Sequence, residues 1–320
     1  MKIDKTKTNS IRKAFGKTLA EIGELNEKII VMDADLACST QTKIFADKFP
    51  DRFFDCGIAE QNMLATAAGL ASEGKIPFVA SFAVFVTGRT YDQIRNGICY
   101  PNFNVKIVGT HGGVTVGEDG ATHQALEDIS LMRGLPHMTV IVPADCKECQ
   151  EAIKYAALHE GPTYIRIPRS NVPDIFDENY SFNIHKAVVV EEGTDFSVFT
   201  NGETLAEVLL AAEELKKDNI SLEVINVPVV KPLDFQTVIE SVKKTKFAIT
   251  VENHSIVGGL GSAICETLAD KLPSKVYRIG VNDEFGQSGK AEELIEYYGL
   301  DSKTLAKRIR AIIKKRKRAR

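Results

Sequence analysis

The 320-residue sequence is short of three things: cysteines in a regular spacing, an excess of charge of one sign, and long apolar runs. Forty basic and 43 acidic side chains leave a formal net charge of −3, so no global attraction draws the chain to nucleic acid. No apolar stretch approaches the roughly 18 residues that a membrane span requires. The N-terminal MKIDKTKTNSIRK is polar and lacks the apolar core of a secretory signal. Six cysteines without framework spacing point to reduced thiols and a cytoplasmic location. Cys146 and Cys149 form a C-x-x-C pair, but no second pair of zinc ligands follows nearby, and a redox role is the remaining alternative. The one local excess of charge is the tail Lys314–Arg320, which reads as a solvated helix end.

What is present is ordinary in amount. Hydrophobic residues make up 44% and charged residues 26%, as in soluble globular proteins, and the length suits about two domains. KIIVM (28–32), PFVAS (77–81), VKIVG (105–109) and TVIV (139–142) are short, continuous and rich in β-branched residues. Such runs predict buried strands of a parallel sheet covered on both faces. Helical spacing fills the gaps, including 59–74 and 87–99, and Ser10 is placed to cap a helix over 11–25. The alternation predicts a doubly wound α/β fold. RSNVPDIFDENYSFNIHK (169–186) has no sustained periodicity and reads as a linker. Beyond it, strands at 196–200, 221–227, 247–251 and 275–279 alternate with helices at 203–217, 231–244 and 261–272. We therefore expect two α/β domains, 1–172 and 188–320, joined by a linker over 173–187.

Three stretches could carry chemistry. GTHGGVTVGEDGATHQALE (109–127) leaves a strand with five glycines and two of the six histidines. Glycines allow backbone shapes that other residues resist, and the C-terminal edge of an open α/β sheet is where ligands bind. His111, Asp119 and His123 could converge there on a polar substrate; an ordinary surface loop is the alternative. FDCGIAEQNM (54–63) puts Glu60 at a helix start, where a carboxylate either caps the helix or serves a site. SFAVFVTGRTYDQIR (81–95) places Phe82 and Phe85 between strand and helix, suited either to the core or to stacking on a planar ligand.

Taken in order, ADLACST (34–40), GIAEQNM (57–63), SFAVF (81–85), THGGVTVGEDGATHQ (110–124), IRIPRSN (165–171) and VENHSIVGGLGSAI (251–264) resemble the C-terminal half of transketolase over nearly the whole chain. That family uses thiamine diphosphate to move two-carbon ketol units between sugars. The resemblance implies a pyrimidine-binding domain followed by a transketolase C-terminal-like domain. It implies that Glu60 hydrogen-bonds the aminopyrimidine ring, promoting loss of the thiazolium proton, and that Phe82 and Phe85 pack on that ring. His123 would then stand beside the reacting carbonyl and Asp119 would read a substrate hydroxyl. Ser39, His111 and Arg169 would hold the distal phosphate. There are departures: Gly88 stands where many relatives carry another aromatic, and Gln61 where they often have histidine. In the second domain, His254 and the glycines at 258–261 suggest packing or an interface, since neither G-x-G-x-x-G nor a P-loop lysine is present.

The family grips the diphosphate and its Mg²⁺ through Gly-Asp-Gly with a later asparagine, residue types suited to an octahedral metal. No Gly-Asp-Gly occurs here; GEDG (117–120) belongs to the substrate loop. The resemblance therefore implies the small subunit of a split enzyme, with Mg²⁺ and diphosphate held mainly by an N-terminal partner, and an α2β2 assembly. GIAEQ also resembles 1-deoxy-xylulose-5-phosphate synthase, and the size suits the β subunit of a 2-oxo-acid dehydrogenase. A non-catalytic assembly module of the same fold is the alternative from another class.

Overall fold

A computed structural model describes residues 3–318, with side chains described as far as residue 315. Residues 1–2 of the polar N-terminus and 319–320 of the basic tail lie outside the described residues; the helix Ser302–Arg318 carries the tail to Arg318. The apolar runs form strands as expected. Ile29–Asp33, Ile76–Phe82, Lys106–Thr110, Thr139–Ile141 and Thr163–Arg166 are buried along their whole lengths. With Phe53–Asp55 they make a parallel sheet in the order Thr139–Ile141, Thr163–Arg166, Lys106–Thr110, Ile76–Phe82, Ile29–Asp33, Phe53–Asp55. Helix Glu60–Ser72 covers one face with Met63, Leu64 and Ala67. Ile11–Leu25 and Cys146–Leu158 cover the other with Phe15, Leu19 and Ile153. Ser10 caps the first helix, accepting from Lys13 N–H at 3.3 Å.

The second sheet has the order Val276–Val281, Ala248–Ser255, Phe196–Thr200, Leu222–Asn226, Val188–Glu191. All its pairs are parallel except the last. The expectation of two mainly parallel α/β sheets holds, with three local corrections. Val229–Lys231 is a strand, and the helix begins at Phe235 instead of residue 231. Pro232 disfavours helix in the residue before it, and Asp234 supplies the cap, accepting from Thr237 N–H at 3.1 Å. That strand joins the first sheet, antiparallel to Thr139–Ile141, so the two halves of the chain share a sheet. The expected linker contains Val172–Pro173, which pairs with Thr8–Asn9.

The third correction is the helix expected over 87–99. Two π-type segments, Phe85–Arg89 and Gln93–Cys99, take its place. Thr87 and Thr90 hydroxyls donate to the carbonyls of Ala83 and Val86, at 2.7 and 2.6 Å. Such back-bonding competes with the regular ladder and widens turns. In the C-x-x-C pair, burial pushes the Cys146 thiol up to about 12 and Cys149 well above its ordinary value, which disfavours the thiolate.

One buried charge sits at the sheet's opposite edge. Lys106 is fully buried, and its Nζ donates to the carbonyls of His159 and Gly161, both at 2.7 Å. Burial lowers its pKa from 10.5 to about 7. Between those values the unfolded chain binds more protons than the folded one, so this group makes stability rise with pH. The slope reaches roughly 1.4 kcal/mol per pH unit at most and vanishes below about pH 7. Denaturant titrations from pH 7 to 10 should show this slope in the wild type and its loss in Lys106→Met.

Candidate active site

Five parallel strands deliver their following loops to one edge of the first sheet. In spatial order these loops carry Arg169, then His111 to His123, then Phe82 and Phe85, then Ser39, then Glu60. This is the edge at which open α/β sheets bind ligands. Short-range polar contacts shape each loop. Asp33, at the end of its strand, accepts from Leu36 N–H and from the hydroxyls of Thr40 and Thr42 at 2.7 to 2.8 Å. These bonds fold the segment that presents Ser39, while burial pushes the Asp33 carboxyl up. Asp55 accepts from the N–H groups of Asp35 and Gly57, at 3.0 and 2.9 Å, turning the chain toward Glu60.

Glu60 opens its helix with a carboxylate that is 3% exposed and paired with Arg89 at 2.8 Å. The Arg89 guanidinium lies 4.5 Å from the centre of the Phe85 ring. Phe85 stacks on Phe82 at 5.9 Å, and Phe82 stacks on His111 at 3.8 Å. His123 meets both phenylalanines edge-on, at 6.2 and 5.3 Å. Glu60, Phe82, Phe85, His111 and His123 thus form one continuous wall, with Arg89 as the link to Glu60.

His111 is buried and sits at φ +58°, a left-handed conformation that costs a non-glycine residue free energy. Burial, then the charges of Arg12 and Arg169, and finally His123, push it down to about 3. At neutral pH it is an uncharged hydrogen-bonding ring. Arg169 donates Nη1 to the Val116 carbonyl at 2.7 Å and has Glu118 at 3.5 Å. Asp119 is exposed at the end of the loop's helical turn, so the acidic side chain that reaches Arg169 is Glu118.

Two residues that sequence reasoning passed over belong here. Arg12, on the helix Ile11–Leu25, donates to the carbonyls of Ser39 at 2.7 Å and Arg169 at 3.0 Å, tying two loops to that helix. Its buried Nε has no partner among the described residues. A signal existed: an arginine in the first turn of a capped helix opposes the helix dipole, which asks for a separate reason. Arg89 is the other, and the π-type turn that carries it leaves no mark in the hydrophobic pattern.

Comparison with known proteins gives the context of this edge. Residues 7–174 match the family model "Transketolase, pyrimidine binding domain", and residues 185–305 match "Transketolase, C-terminal domain". A protein from Methanocaldococcus jannaschii described as "Putative transketolase C-terminal section" is 48% identical over 95% of this chain and 96% of its own length. The chain belongs to the transketolase family. Human transketolase is 38% identical over 95% of this chain but only 49% of its own. A solved structure described as a split gene transketolase, inactive beta4 tetramer, is 44% identical with a TM-score of 0.86, over 94% of this chain and 97% of that one.

Gly57 and Gly88 are exposed, and a Cβ added at either would meet nothing within 4 Å, so no neighbour fills the position at 88 where an aromatic is missing. Gln61 donates to the Arg89 carbonyl at 3.1 Å, giving the departure from histidine a structural use. The donor set for a divalent metal is a different matter. Among the described residues, no three His, Cys, Asp or Glu side chains gather as metal ligands.

Proposed function

We propose that the chain is the C-terminal subunit of a two-chain, thiamine-diphosphate-dependent transketolase that transfers a two-carbon ketol unit from a ketose phosphate to an aldose phosphate. One observation carries this reading: a buried carboxylate beside stacked phenylalanines lies at one end of a sheet edge, and a cluster of cations lies at the other. Bound cofactor supplies a carbon nucleophile and an electron sink. Glu60 holds a proton against the aminopyrimidine nitrogen, and Phe82 and Phe85 offer the ring an apolar face. His123, between the two ends, is suited to hydrogen-bond the substrate oxygen as it gains charge. Asp119 faces a sugar hydroxyl. Arg12, His111, Arg169 and Ser39 take the distal phosphate. A partner bearing Gly-Asp-Gly supplies the diphosphate and Mg²⁺ grip, in an α2β2 assembly.

The costly features of the edge favour catalysis over a non-catalytic module of the same fold. A strained His111 and two adjacent guanidiniums cost free energy that loop-holding bonds to backbone carbonyls could be made without. The purified chain should show no ketol transfer with cofactor and Mg²⁺, and should gain it on mixing with the Gly-Asp-Gly subunit. Robust transfer by the single chain would overturn the two-chain reading. Product analysis with xylulose 5-phosphate against pyruvate as donor separates ketol transfer from the synthase and dehydrogenase chemistries.

A further inference from the structure

The substrate loop, residues 111–124, is made of turns and one short helical run, so no strand ladder fixes its shape. Its neck is narrow. Gly112 bridges to Ala125, and Gly113 N–H donates to the Ala125 carbonyl at 2.9 Å. Ile167, Arg169 and Gln124 of the first half bond to this neck, and two further bonds come from the second half of the chain. Asn253 accepts from Val114 N–H at 3.1 Å through Oδ1 and donates to Glu203 at 2.5 Å through Nδ2. Thr115 donates to the same Glu203 oxygen at 3.0 Å. Gly113, at φ +81°, allows this seating, since a Cβ there would lie 2.4 Å from Asn253 Nδ2. Arg166 adds a clamp, donating to the carbonyls of Asn253 at 2.8 Å and Ala125 at 3.2 Å.

We propose that Asn253 and Glu203 are positioning residues that set the substrate loop over the sheet edge and thereby govern sugar binding. The inference rests on the reading of residues 111–124 as the substrate loop. It extends the role of the second half of the chain from packing to the shaping of the site. Only an amide suits position 253, because one end must accept from a backbone N–H while the other donates to a carboxylate. An aspartate there would keep an acceptor for Val114 N–H but face Glu203 with like charge and no donor, and the repulsion would push both carboxylates, with the Val114 and Thr115 they hold, out of place. His111 lies three residues before Val114 and Asp119 four after Thr115, so both would move with the neck.

The test uses the reconstituted complex. Asn253→Asp should raise KM for the sugar phosphates by about tenfold or more, with a smaller change in kcat and an unchanged cofactor affinity. Adding Glu203→Gln restores one donor and one acceptor across the pair, and the double variant should recover most of the lost affinity. Thr115→Val, which removes one bond without adding charge, should raise KM several-fold while lowering the melting temperature by no more than a few degrees. It keeps the test decisive should Asn253→Asp fail to fold. Unchanged KM in Thr115→Val, absence of rescue in the double variant, or a parallel loss of cofactor affinity would each overturn the proposal. Amide hydrogen exchange over residues 112–120 needs no activity. Faster exchange in Asn253→Asp, reversed in the double variant, supports the positioning role even where the proposed reaction fails; unaltered exchange refutes it.

Discussion

Glu60→Gln is expected to abolish turnover in the reconstituted complex, by about 10³-fold or more, while leaving assembly and fold intact. Glutamine has the same shape, so the helix start and the packing of the buried side chain are preserved. What it lacks is a carboxylate able to exchange a proton with a ring nitrogen. Loss of the Arg89 pair is a lesser effect. Arg89 is 46% exposed, so its guanidinium can turn to solvent, and it retains the Phe85 ring as a partner. Exposed ion pairs are worth about 1 kcal/mol or less. The check is steady-state ketol transfer alongside sedimentation of the complex. Near-normal activity would remove Glu60 from the chemistry and leave it a helix-start residue.

The contrast between Glu60 and Arg89 shows where sequence legibility ends. Continuous apolar runs such as IPFVASF place strands almost to the residue, because a strand buried on both faces leaves no freedom in composition. Side chains at or beyond the ends of parallel strands, among them Phe82, His111, Arg169 and Glu60, are then confined to one edge by topology alone. Residues that join the site from elsewhere leave weaker traces. Arg12 reaches it from a helix on the opposite face of the sheet, and Arg89 through a π-type turn that hydroxyl back-bonding widens. Asn253 and Glu203 lie more than 80 residues beyond Thr115 and meet the loop only through tertiary packing. Val229–Lys231 was hidden for the same reason, since a three-residue strand that completes the other half's sheet has no local signature.

Neutralising the cationic end should bring the second large effect. Arg12 and Arg169 stand close enough that the charge of Arg169 helps depress Arg12, and the nearest carboxylate, Glu118, is exposed and only 3.5 Å from Arg169. Like charges held together are costly unless an anion bridges them, and a guanidinium fork matches phosphate geometry. Neutral His111 beside them can donate to the same anion without adding to the repulsion. Each charged hydrogen bond is worth about 1.5–3 kcal/mol, so Arg169→Met should raise KM for a sugar phosphate by about 10- to 100-fold. Arg12→Met should do the same, and the double variant less than the product of the two, because both act on one anion. The dephosphorylated sugar supplies the control: the loop bonds of Arg12 and Arg169 are lost with either substrate, so its kcat/KM should fall at least tenfold less than that of the phosphorylated sugar in all three variants. An equal loss on both substrates would mean that the arginines hold the loops and not the phosphate. The wild-type preference for the phosphorylated sugar should also weaken as salt rises, and the double variant should have lost that dependence, because only the intact pair presents the charge that salt screens.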